Sequence, residues 1–254
     1  MKTRKWLVSV LMLICVLLAG CAAPATATPA PTSAPATAQP APTTQPEPTQ
    51  PAPTATSVPS IPDGQVVISV DNETFNATIT GNGEIGVILA DTIGYDPLRW
   101  LPLIDALDGN ETLRMITFAY RDEDATPYKD TRAVLDYLRG QGIDKIICVG
   151  AGYGATACGY LQAEPEMIGM VFLAGFDVPN VDADFPKLFL TADTDPHTGA
   201  PAITQRAYEQ SAEPKVFKSY AAGVHGPALF TNVDVGPQVL ADITDFINGI
   251  ANGQ

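Results

Sequence analysis

Lys145-Ile-Ile-Cys-Val-Gly150-Ala-Gly152-Tyr153-Gly154-Ala-Thr-Ala is the stretch of this chain best suited to chemistry. An apolar run comes first, then three glycines at alternate positions, then small residues. That pattern reads as a buried strand, a sharp turn and a helix. Its middle glycine, Gly152, offers no hydroxyl, thiol or carboxylate. Cys148 precedes the turn within the strand, and Cys158 follows it on the helix. Both read as small buried apolar residues and not as nucleophiles. Ser69, Ser211 and Ser219 fall on strands or a helix end, far from the turn along the chain. The same letters fit G-x-G-x-x-A, a dinucleotide-binding fingerprint. That motif wants an acid about 20 residues on, whereas Asp177 follows Gly150 by 27 residues. Several strands also precede the turn, so a Rossmann-type domain is kept only as a remote alternative.

Other polar clusters lie downstream and upstream. Asp193-Thr-Asp195-Pro-His197-Thr-Gly199 has the acid spacing of a calcium loop, but lacks the glycine and glutamate that such a loop needs at its sixth and twelfth positions. Two histidines and no close Cys/His spacing leave a zinc site unsupported. Neither metal nor cofactor is expected. Gly223-Val-His225-Gly lies further on. Upstream, Val87-Ile-Leu-Ala90-Asp91-Thr92 is followed by Trp100-Leu-Pro-Leu.

Taken in order, these four stretches resemble the α/β-hydrolase superfamily, in particular its dienelactone-hydrolase-like and lipase-like members. The glycine turn has the frame of the nucleophile elbow, G-x-S-x-G. The resemblance puts Gly152 where the nucleophile stands. It matches Asp195 to the acid, with Asp193 as the alternative, and His225 to the base. Asp91 and Thr92 match the loop that supplies half of the oxyanion hole, and the backbone N–H of Tyr153 would supply another donor. Asp91-Thr92 replaces the usual His-Gly, and a carboxylate there would oppose a developing oxyanion. The resemblance therefore implies a pseudohydrolase that binds a small molecule, glycan or protein. An active ester hydrolase in which His225 and Asp195 activate water is the alternative.

The elements that must position these residues follow from hydrophobic pattern. Strands are predicted at 65–71, 74–81, 85–90, 113–119, 145–149, 168–174, 187–191 and 215–220. Helices are predicted at 96–107, 129–139, 153–162, 201–210 and 237–250, with Pro102 able to split the first. Leu98, Leu101, Ile104 and Leu107 fall at helical spacing. Two leading strands followed by strand–helix alternation predict an α/β fold: a mostly parallel sheet with helices on both faces. The short connection after the strand at 168–174 leaves no large cap.

Three segments divide the chain. Residues 1–20 read as a signal peptide, with Lys2, Arg4 and Lys5 ahead of an apolar core of 13 residues, Trp6 to Leu18. Leu18-Ala-Gly-Cys21 resembles the bacterial lipoprotein signal, which implies lipidation of Cys21. Residues 21–61 form a Pro/Thr/Ala tether too poor in large apolar residues to fold. Extended at about 3.1 Å per residue, it reaches on the order of 100 Å. Residues 62–254 form the globular domain. The formal net charge is −14, and loss of residues 1–20 makes it more negative. Such a surface excludes nucleic acid as a partner and favours neutral or cationic ligands. The expected location is extracytoplasmic, anchored by lipid to the bacterial envelope membrane. Cys21→Ser is expected to abolish metabolic labelling with a palmitate analogue and to move the chain from the membrane to the soluble fraction. Unchanged labelling would remove the anchor from this reading.

Overall fold

The computed structural model describes residues 64–121, 127–197 and 199–253. The predicted signal peptide, Cys21 and the tether lie outside the described residues. Eight strands form one sheet: β1 (Gly64–Val70), β2 (Glu73–Thr80), β3 (Ile85–Ala90), β4 (Leu113–Phe118), β5 (Lys145–Ala151), β6 (Met167–Leu173), β7 (Lys187–Ala192) and β8 (Lys215–Tyr220). Their order across the sheet is β1-β2-β4-β3-β5-β6-β7-β8. β1 and β2 pair antiparallel, as do β2 and β4, and all later pairs are parallel.

Among the described residues, five α-helices cover the sheet: α1 (Leu101–Leu107), α2 (Pro127–Gly140), α3 (Tyr153–Tyr160), α4 (Ala200–Gln210) and α5 (Gly236–Ala251). The inner strands β3, β4 and β7 are buried at every position because both faces are covered, whereas β1, β2 and β8 expose part of theirs. On β3, Ile88 and Ala90 pack with Leu135, Leu138 and Ala155 on one face. Val87 and Leu89 pack with Trp100, Leu103 and Ile243 on the other. Each such fully buried branched side chain contributes about 1.5–3 kcal/mol.

The first predicted helix needs correction. A 3₁₀ turn, Pro97–Trp100, precedes α1, and Pro102 lies in the first turn of α1. Leu98 and Leu101 are exposed, while Trp100, Leu103 and Leu107 are buried. A 3₁₀ turn advances three residues per turn and not 3.6. The change of period rotates the apolar face away from the stripe that the spacing suggested. Residues 174–186 alone join β6 to β7, which leaves no room for a large cap.

Two pairings place the loops above the carboxyl ends of the strands. Ala90 on β3 lies opposite Gly150 on β5, so Asp91-Thr92 and Ala151-Gly152 emerge side by side. Ala192 on β7 lies opposite Tyr220 on β8. Beyond that pair, Thr194 N–H donates to Ala222 O at 3.2 Å, which holds the Asp195 loop against the His225 loop.

Cys148 and Cys158 are fully buried, as their type suggested, but they are joined in a disulfide with Cα atoms 5.7 Å apart. The bond ties β5 to α3 across the glycine turn. A cross-link over so short a loop stabilises by roughly 3 kcal/mol. The Cys148→Ala/Cys158→Ala variant is accordingly expected to unfold at a lower urea concentration, with a loss of about 2–4 kcal/mol. An unchanged midpoint would show that the bond contributes nothing to stability.

Candidate functional site

The turn between β5 and α3 depends on close backbone approach. A β-carbon at Gly154 would overlap the carbonyl of Ala90, and one at Gly150 would overlap the backbone of Gly154 and Ala155. Only glycine lets α3 start this near the ends of β3 and β5. Gly152 has φ 55° and ψ −119°, a backbone region that costs a side-chain-bearing residue strain. Its N–H donates to Leu173 O at 3.1 Å, and its carbonyl accepts from Phe176 N–H at 3.2 Å.

His225 and Asp195 meet beside this turn. His225 Nδ1 lies 2.8 Å from Asp195 Oδ2, and the carboxylate is wholly buried. Asp195 Oδ1 accepts from His197 N–H at 2.9 Å, so the same residue also starts the turn into Pro196. Asp193 is turned elsewhere: its Oδ1 accepts from Ala222 N–H at 3.2 Å. Of the two acids weighed from sequence, Asp195 is therefore the one that holds the imidazole. Burial lowers the pKa of His225, while the Asp195 carboxylate pushes it back up. The net direction is downward, which keeps the ring neutral near pH 7.

The position above Gly152 is crowded. A β-carbon there would collide with Thr92 Oγ1 and stand 3.2 Å from Phe176 Cε2 and 3.3 Å from His225 Nε2. Thr92 Oγ1 is held there by donating to Ala151 O at 3.3 Å. Phe176 stacks on His225 with ring centroids 5.0 Å apart, and the exposed Tyr153 ring leans on Phe176 at 5.2 Å. His225 Nε2 is buried and has no hydrogen-bond partner among the described residues.

Asp91 takes part in a different way from the one its type suggests. Its carboxylate faces the guanidinium of Arg99, with Nη1 3.1 Å from Oδ2. Arg99 also donates to the carbonyl of His225 at 3.4 Å and lies over the Tyr95 ring. The expected repulsion of an oxyanion by Asp91 is therefore largely offset by a cation. Burial nevertheless raises the Asp91 pKa to about 6, against the lowering effects of the Thr92 N–H and Arg99. Its Oδ1 accepts from Thr92 N–H at 2.7 Å. That backbone donor of the predicted oxyanion loop is already taken.

Sequence reasoning missed Arg99, Phe176 and the placement of His197. His197 had one available signal, its position two residues after Asp195. Arg99 had a weaker one, as the basic residue beside Trp100 after the Asp91 loop. Phe176 had none.

No family model matches the sequence, and no curated protein matches it. Solved structures do match the fold. A predicted CIB-like hydrolase from Thermoplasma acidophilum superposes with a TM-score of 0.58 at 12% identity, over 73% of this chain and 98% of its own. A thermophilic esterase from Thermogutta terrifontis gives 0.57 at 12% identity, over 74% and 99%. EstE1, a carboxylesterase from a metagenomic library, gives 0.58 at 17% identity, over 78% and 91%. The chain has the α/β-hydrolase fold, and these structural neighbours are hydrolases and esterases.

Packing above the turn gives a direct test. Gly152→Ala is expected to cost about 1–3 kcal/mol, because the added methyl overpacks against Thr92. Adding Thr92→Gly should recover part of that loss, measured by urea unfolding. Independent, additive effects of the two changes would show that the collision is not real.

Proposed function

We propose that this chain is a lipid-anchored, extracytoplasmic pseudohydrolase. It has the α/β-hydrolase fold but lacks the nucleophile, with Gly152 in the nucleophile's place, and it uses the site region to bind a ligand without turning it over. The observation that carries the reading is the filled position above Gly152. Thr92 Oγ1 occupies the place where a nucleophile's side chain would start. The Thr92 N–H is engaged by Asp91, which removes a donor from any oxyanion hole. On this reading, the His225–Asp195 pair persists as a positioned dyad with nothing to deprotonate.

Export is supported by a second, independent feature. A disulfide such as Cys148–Cys158 persists in oxidising compartments and is rare in the cytosol. This agrees with the lipoprotein signal and with attachment through Cys21. The ligand is a small molecule, a glycan or a protein segment. The exposed rings of Tyr153 and His197, each in contact with Phe176, offer faces on which a sugar or other planar neutral group stacks. The acidic chain disfavours anions.

The 2.8 Å His225–Asp195 contact favours one second reading, hydrolysis by water activated at His225. The burial of Nε2 opposes it, because a water needs room at that nitrogen. Short p-nitrophenyl esters discriminate between the two. The purified protein is expected to show no cleavage above the blank, with His225→Ala indistinguishable from it. Cleavage abolished by His225→Ala in a variant of unchanged circular dichroism would establish the hydrolase and overturn the binding-only reading. Gly152→Ser combined with Thr92→Ala is expected to gain weak esterase activity, whereas Gly152→Ser alone is not, because Thr92 still obstructs the serine.

A further inference from the structure

We propose that Asp195, His197 and His225 form a binding site for a divalent transition metal of the zinc class. The chain has two histidines, and both stand at the same carboxylate. His225 Nδ1 is 2.8 Å from Asp195 Oδ2. His197 Nδ1 is 3.6 Å from Asp195 Oδ1, and the two imidazole centroids are 4.1 Å apart. One ligand atom from each residue brings all three within 4.8 Å of one another. Zinc bonds of about 2.0–2.1 Å in a tetrahedron put neighbouring donors roughly 3.3 Å apart. The two nitrogens face different oxygens of Asp195, so rotation of the carboxylate and the rings brings one donor from each residue onto a single ion.

Burial is graded in the way an ion site needs. The Asp195 and His225 side chains are buried, while the His197 side chain is 45% exposed. An ion therefore enters from the His197 side, and a fourth position remains for water or a ligand atom. Two imidazoles and one carboxylate suit zinc, cobalt, nickel or copper and not magnesium or calcium, which want oxygen. This departs from the expectation drawn from sequence spacing, where two histidines gave no support for a metal.

His225 Nε2 points to the same conclusion from another direction. Without metal, the ring donates its Nδ1 proton to Asp195 and keeps a bare lone pair on Nε2. That nitrogen is buried and unpartnered, which is costly. When a metal takes the Nδ1 lone pair, the neutral ring carries its one proton on Nε2 instead. No net proton is released. Because Nε2 has no hydrogen-bond partner among the described residues to fix the tautomer, the ring is free to make that change.

The site is independent of turnover, so its test reads binding alone and can fail while the non-catalytic reading stands. Full-length protein without a polyhistidine tag, purified in detergent and stripped with chelator, is titrated with zinc chloride by calorimetry. Cobalt(II) absorption in the visible range reports the geometry. The expected result is one equivalent of zinc, an intense tetrahedral cobalt band, and at least about tenfold weaker binding in His197→Ala. His197 is a surface loop residue, so this variant is expected to fold, and circular dichroism checks it. Asp193→Asn, beside the site but turned away from it, should bind as the parent does. Absence of zinc binding at concentrations on the order of 100 μM, or equal affinity in His197→Ala, would overturn the proposal.

Discussion

Everything near the candidate site depends on how closely α3 approaches the ends of β3 and β5. The Ala90 carbonyl leaves no room for a side chain at Gly154, and Gly150 has the first turn of α3 against its Cα. This contact brings the Asp91-Thr92 loop against Ala151 and Gly152. It also lets the Thr92 hydroxyl reach Ala151 O and fill the position above the turn. A larger residue at position 150 or 154 would push the helix out and separate the two loops. The packing therefore precedes the electrostatics: ion pair, dyad and aromatic stack are assembled on a backbone arrangement that only glycine permits.

The polar groups of the region are paired in a way that leaves little free for reaction. Arg99 bridges the Asp91 carboxylate and the His225 carbonyl, linking the loop after β3 to the loop after β8. Asp195 divides its two oxygens between the His225 ring and the His197 backbone. In a buried setting each such pair offsets a desolvation cost. What is left over among the described residues is His225 Nε2, together with the indole Nε1 of Trp100 next to Arg99. The His225 nitrogen is the clearest sign that the site is incomplete as a closed polar network. The metal reading draws on it, whereas the binding reading rests on the filled position above Gly152.

Much of the fold was legible from pattern alone. Ile85–Ala90 and Lys215–Tyr220 form strands with the predicted bounds, because turn residues punctuate both ends of each run. The order of glycine turn, acid and histidine was also legible, since a repeated strand–helix alternation sends successive loops to the same sheet edge. The first helix was misread where Leu98 and Leu101 turned outward. Local spacing cannot register a change of helical period at Trp100. The disulfide and the contacts of Arg99, Thr92 and Phe176 were not legible either. Each joins residues whose nearness is created by the fold and leaves no mark in neighbouring letters.

The Cys148–Cys158 bond closes over a sequence separation of ten residues, within a single strand–turn–helix unit. A chain delivered from its N-terminus offers both thiols long before β7 and β8 have arrived. Loop closure of this length is fast compared with assembly of a parallel sheet. The two thiols therefore meet locally, and the rate at which the bond forms is set by the oxidant and not by the search for a partner. A bond closed at that stage would hold β5 and α3 at a fixed spacing when the loops bearing Asp195 and His225 dock beside Gly152.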